Sequence, residues 1–194
     1  YAEDGTNDKT VDWVHPFEKA TGCTATVKEF GTSDDAVQLM RTGNWDVVSA
    51  SGDATLRLIA TKDVAPVNTA LFTNYADIAP WLKDKPWNSV DGQMYGIPHG
   101  WGANLLMYNT DLVKPAPTSW SAVFDKASTY KGKVTAYDSP IYIADAALYL
   151  MKTNPALDLK NTYALADTQL AAAGALLKGQ NRNNGEDWSA DNKD

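Results

Sequence analysis

A single cysteine, Cys23, and two histidines, His15 and His99, are all the thiol and imidazole in 194 residues. One cysteine forms no intrachain disulfide, and no Cys-x-x-Cys or Cys/His cluster is there to hold a metal. The histidines lie far apart, so their spacing offers neither a metal site nor a catalytic pair. No apolar run approaches the ~20 residues of a membrane span. Basic residues are the minority, 17 against 24 acidic, for a formal net charge of −7. That balance disfavours a nucleic-acid partner, whose phosphates need a basic face. It suits a soluble surface and tolerates a cationic small ligand. Also missing are a phosphate loop, a nucleophile elbow and a zinc signature. No catalytic residue, metal or cofactor is therefore expected.

What is present is an ordinary globular composition, 44% hydrophobic and 21% charged, rich in aromatics with seven Trp and nine Tyr. The pattern alternates helical and strand-like segments, which reads as α/β. Helical spacing predicts helices over residues 11–20, 33–42, 54–61, 75–82, 119–128, 141–152 and 162–180. Gly22 is placed to cap the first, and Thr32 or Ser33 to open the second, with Asp34 and Asp35 in its first turn. Runs of β-formers predict strands over 24–30, 45–50, 94–98 and 134–137, with a further apolar run over 104–108. Asp91-Gly92 marks a tight turn. The Pro-rich stretch Val113 to Thr118 reads as a semi-rigid linker, dividing the chain into 1–113 and 114–194.

Three places carry candidate chemistry. Ser51-Gly52-Asp53 lies where a strand runs through a small-residue turn into a helix, the ligand-site geometry of α/β folds. The plainer reading is that Ser51 or Asp53 only caps the helix. Asp145 is the one acid in an apolar helix that follows a strand. It serves a ligand, or faces solvent, or answers the helix N-terminus. Trp101 stands between Gly100 and Gly102, either displayed in a cleft or packed in a core. Aromatic faces beside carboxylates suit an ammonium-bearing ligand through cation–π contacts and charge-assisted hydrogen bonds. Aromatics alone suit sugar stacking equally well. If the two parts of the chain face each other, Asp53 and Asp145 are also the pair a carboxylate hydrolase would use.

Several motifs in order resemble one family. They are Phe17-Glu18-Lys19-Ala20-Thr21-Gly22, Gly43-Asn44-Trp45-Asp46-Val47-Val48, Asp91-Gly92-Gln93-Met94-Tyr95-Gly96-Ile97-Pro98, Trp101-Gly102, Tyr108-Asn109, Ser119-Trp120 and Tyr130-Lys131-Gly132-Lys133. The chain resembles the extracytoplasmic solute-binding protein of a polyamine (spermidine/putrescine-type) ABC transporter. The resemblance implies an α/β, periplasmic-binding-protein-like (type II) fold of two lobes closing on solute like a hinge. It implies no enzyme activity. Its partners would be a small cationic polyamine and a membrane permease, with a lipid anchor, if any, outside this chain. The location would be periplasmic, or at the outer face of the cytoplasmic membrane. By position, Tyr1 resembles a ligand tyrosine on the first strand. Ser51 and Asp53 match the ligand-facing elbow, where relatives often carry Ser or Tyr. Asp145 resembles the second-lobe carboxylate that meets an amine, with Tyr142 lining the same wall and Trp101 at the cleft edge. The acid at Asp53 departs from the usual aromatic and leaves the solute open, with an amino-acid derivative, an opine or a sugar as the alternatives. The resemblance also implies an N-terminal portion, lacking the first strand and the returning segments, which would bind polyamine weakly or not at all by itself.

Overall fold

The computed structural model describes residues 3–125, 130, 133–136 and 139–184. Six helices dominate them: α1 (Val14–Thr21), α2 (Ser33–Arg41), α3 (Gly52–Ala60), α4 (Ser121–Phe124), α5 (Ile141–Thr153) and α6 (Asp167–Asn184). The strands are β1 (Ser89–Val90) and β2 (Gln93–Met94), paired antiparallel with Ser89 opposite Met94 and Val90 opposite Gln93. Asp91 and Gly92 join them with φ of 51° and 75°. Positive φ at both central residues is what a type I′ hairpin turn requires, and Asp-Gly supplies it at low cost.

Helix boundaries follow local chemistry. Helix α1 starts at Val14 rather than Val11, so Pro16 falls in the first turn, where its missing N–H costs nothing. Gly22 closes it in the left-handed conformation, as expected. Thr32 opens α2 with a full capping box, its hydroxyl accepting from the Asp35 N–H while Asp35 accepts from the Thr32 N–H. Thr32→Ala is expected to cost about 1 kcal/mol, read as a lower urea midpoint at unchanged m-value. The helix predicted over 75–82 is instead two 3₁₀ turns, Thr73–Asp77 and Pro80–Leu82, because Pro80 cannot donate into a continuing α-helix. Helix α4 ends at Phe124, and the remainder of the element predicted there falls mostly outside the described residues.

The predicted strands over 24–30, 45–50, 94–98 and 134–137, and the apolar run over 104–108, are a correction. Beyond β2, none of their described residues lies in a ladder. Alternating β-formers prepare a face for a sheet, but a strand exists only when a neighbour takes its backbone groups. Among the described residues, no backbone–backbone hydrogen bond involves 24–30 or 46–50. The apolar side chains prepared for a sheet are then left outside: Val47 is 85% exposed and Met107 86%.

Two apolar clusters hold the structure. Val37, Ala54 and Leu58 join α2 to α3, with Met40, Val48, Ala50 and Val64 around them. Val123, Phe124, Ala136, Tyr142, Ala146 and Ala173 join α4, α5 and α6. In the second, the Phe124 ring stacks on Tyr142 at 5.9 Å and meets Tyr149 at 5.1 Å, and the Tyr149 hydroxyl donates to Asp125.

Candidate functional site

Ser51 occupies the N-cap position of α3, yet its side chain caps nothing. Its hydroxyl donates to Asp53 Oδ1 at 2.8 Å and lies 3.4 Å from the hydroxyl of Ser33, the buried first residue of α2. The starts of two helices thus meet at a Ser–Ser–Asp chain. Asp53 Oδ2 is buried, with no hydrogen-bond partner. A carboxylate oxygen closed off from solvent without a donor asks for an explanation.

Over this elbow lie two aromatic rings. Tyr163 and Trp87 meet edge to face with centroids 5.6 Å apart. A Cβ on Gly52 would lie 2.9 Å from Trp87 Cγ and 3.0 Å from two carbons of the Tyr163 ring. Glycine is therefore required by close approach. Gly52→Ala must displace a packed ring, and it is expected to cost roughly 1–3 kcal/mol, with a weakened near-ultraviolet circular dichroism signal from the ring pair. Burial raises the Tyr163 hydroxyl pKa first, and the charges of Asp53 and Asp145 raise it further.

Asp145, half-buried on α5, accepts from the Asn104 amide through both oxygens, at 3.0 and 2.9 Å. It neither caps a helix end nor faces bulk solvent only. Tyr142 sits three residues earlier and is 4% exposed. Its hydroxyl donates to Gln180 at 3.1 Å, and burial pushes its pKa up to about 12, so it stays a neutral donor at physiological pH. Its position is that of a core residue. Three helical residues rotate by about 300°, enough to send neighbouring side chains of one turn to different surroundings.

Trp101 is 70% exposed, its ring edge-on to Trp81 at 5.3 Å. His99 Nε2 lies 2.9 Å from Ser49 Oγ, which ties the Trp101 turn to the chain just ahead of Ser51. Tyr1 lies outside the described residues. The structure thus joins Ser51 and Asp53 directly, joins Asp145 to Asn104, and sets Trp101 on the surface. Sequence reasoning missed Ser33, Trp87, Asn104 and Tyr163. Tyr163 was hidden inside the helix predicted from Thr162, whereas α6 begins at Asp167. The signal was Gln169, whose side chain reaches back to the Ala166 N–H at 2.9 Å, as a capping glutamine does. An open hollow of about 410 Å³ between residues 28–31 and the far face of α2 contains none of these side chains. Among the described residues no group of His, Cys, Asp and Glu is arranged to hold a metal ion.

The family model described as "Bacterial extracellular solute-binding protein" matches residues 12–194, nearly the whole chain. The chain belongs to that family. Membership carries a periplasmic-binding-protein-like fold, a binding role and an extracellular setting. Among the described residues no helix is long and apolar enough to cross a membrane. The chain is 30% identical over 88 residues to the norspermidine sensor of Vibrio cholerae, covering 43% of this chain and 24% of the sensor. It is 24% identical over 139 residues to the spermidine/putrescine-binding periplasmic protein of Escherichia coli, covering 70% of this chain and 39% of that protein. The same protein of Shigella flexneri matches to the same extent. The chain thus spans between a quarter and two-fifths of the length of these relatives.

Proposed function

We propose that this solute-binding protein captures a linear cationic amine of the putrescine/spermidine kind between Asp53 and Asp145, for delivery to the membrane permease of an ABC importer. The observation that carries the reading is the buried, donorless Asp53 Oδ2 next to Gly52, on which an aromatic pair packs. An ammonium group would give that oxygen its donor and neutralise its charge, while the Trp87 and Tyr163 faces would cover the methylenes. Asp145, steadied by Asn104, would meet a second ammonium. The names of the relatives point to the same class of solute.

The division of the protein follows. We read residues 1–113 and 114–194 as parts of two lobes of a type II fold, each with its own apolar cluster. Tyr163 bridges them, since it belongs to the second part and packs on Gly52 and Trp87 of the first. In such an arrangement, solute between the acids stabilises the closed pair of lobes by its differential affinity for that state.

The test is a two-dimensional amide NMR titration of the chain with putrescine and with spermidine, sensitive enough for weak binding. Neutral sugar and zwitterionic amino acid serve as the other arms. Shifts at residues 51–53 and around Asp145 with the amines alone are expected. The same shifts with sugar and none with amine would move the solute to the sugar class and sink the amine reading.

A further inference from the structure

We propose that the Asn104 side chain holds the place of the solute's second ammonium on Asp145: its NH2 group stands between the two carboxylate oxygens, and the solute binds there by displacing it. This rests on the amine reading above and deepens it.

The geometry carries the inference. Asn104 Nδ2 lies 3.0 Å from Asp145 Oδ1 and 2.9 Å from Oδ2, so one nitrogen serves both oxygens. A donor that reaches both stands midway between them, at the open end of the carboxylate, where there is room for one nitrogen. A primary ammonium is likewise a single nitrogen bearing several N–H groups, and it seeks the same place on an acid. The amide is thus a neutral copy of the head group that Asp145 is read to bind.

The surroundings allow the exchange. Asp145 is half-buried on α5, which packs with α4 and α6 around one apolar cluster. The carboxylate is therefore the fixed partner. Asn104 is exposed, as is Leu105 beside it, at 75%. Leu106, two residues after Asn104, packs on the same cluster and anchors the segment. The backbone keeps that anchor when the amide swings away, and water meets the freed N–H groups. Charge sets the direction. An ammonium–carboxylate bond is charged on both sides, whereas the amide brings no charge of its own. The amine therefore replaces the amide, but part of its binding free energy goes into breaking the contact. Asn104 steadies Asp145 only until the solute arrives.

The experiment follows the Asn104 side-chain NH2 pair in two-dimensional amide spectra of the full chain. Its signals are identified by their loss in Asn104→Ala, and their released position is read from Asp145→Ala, which removes the acceptor. As putrescine is added to the wild type, the pair is expected to move towards that released position, in step with the backbone shifts around Asp145. Asn104→Ala is expected to bind putrescine about three- to tenfold more tightly, the effect of one net hydrogen bond no longer broken. Its thermal unfolding should match the wild type, since the truncated side chain is exposed. If the pair stays in place while the backbone around Asp145 shifts, or if Asn104→Ala binds no more tightly, the displacement is overturned and the amine reading stands. If neither the wild type nor Asn104→Ala responds to putrescine at residues 51–53 and around Asp145, the amine reading fails and the displacement with it.

Discussion

Leu58→Ala is expected to lower the free energy of unfolding by roughly 2–5 kcal/mol, the usual range for emptying a fully packed leucine site. Leu58 is 1% exposed on α3 and ranks among the largest fully buried side chains. Its cluster is small, with only Val37 and Ala54 as its other buried members. A small cluster has few neighbours able to close around a cavity, and Ala54 contributes little volume. The loss is expected to reach the site as well. Helix α3 carries Asp53 in its first turn, and its hold on α2 runs through this cluster, the part-exposed Arg57–Asp34 ion pair and the long 3.4 Å contact of Ser33 with Ser51. Urea unfolding gives the measurement, with Val47→Ala as the control. Val47 is 85% exposed, so its truncation should change stability by no more than about 0.5 kcal/mol. A Leu58 variant as stable as that control would show that α3 is not held by this packing.

The sequence disclosed what local chemistry decides and hid what distant neighbours decide. Helix α2 was legible from end to end, because its cap, acidic first turn and apolar face all lie within ten residues. The 91–92 turn was legible for the same reason. Ser51 and Asp53 stood out as candidates because a small-residue turn between an apolar run and a helix is itself a local pattern. The strands were misread because their residues advertise a face, while a ladder needs a partner that no local pattern reveals. Leu106 shows the half that succeeds. It packs on the α4–α5–α6 cluster, while Leu105 and Met107 on either side stay exposed. That alternation is the period of a strand without the pairing of one. Tyr142 and Asp145 were both named from one helix, and only packing separates the buried phenol from the carboxylate that reaches Asn104. Tyr163 needed a contact across more than a hundred residues to be seen.

Asp53→Asn is expected to weaken amine binding by roughly 10–100-fold while leaving stability within about 1 kcal/mol of the wild type. The two halves of this expectation have one cause. Asp53 Oδ2 is buried without a protein donor, a cost that an ammonium would relieve. Asparagine keeps the oxygen that accepts from Ser51 but replaces the charged, donorless atom with an amide nitrogen. That change removes a buried charge, which favours the folded state. It also removes an acid from the first turn of α3, which disfavours it through the helix dipole by a comparable amount. For the ligand nothing offsets. An ammonium that met a carboxylate now meets another donor, losing a charge-assisted hydrogen bond and gaining a repulsive contact. Stability unchanged with binding lost marks a group kept for function and not for the fold. Urea unfolding and amine titration of the same preparation measure both halves. If the variant is destabilised as severely as Leu58→Ala and binds amines as well as the wild type, Asp53 is a structural residue and the acid pair is not the solute site.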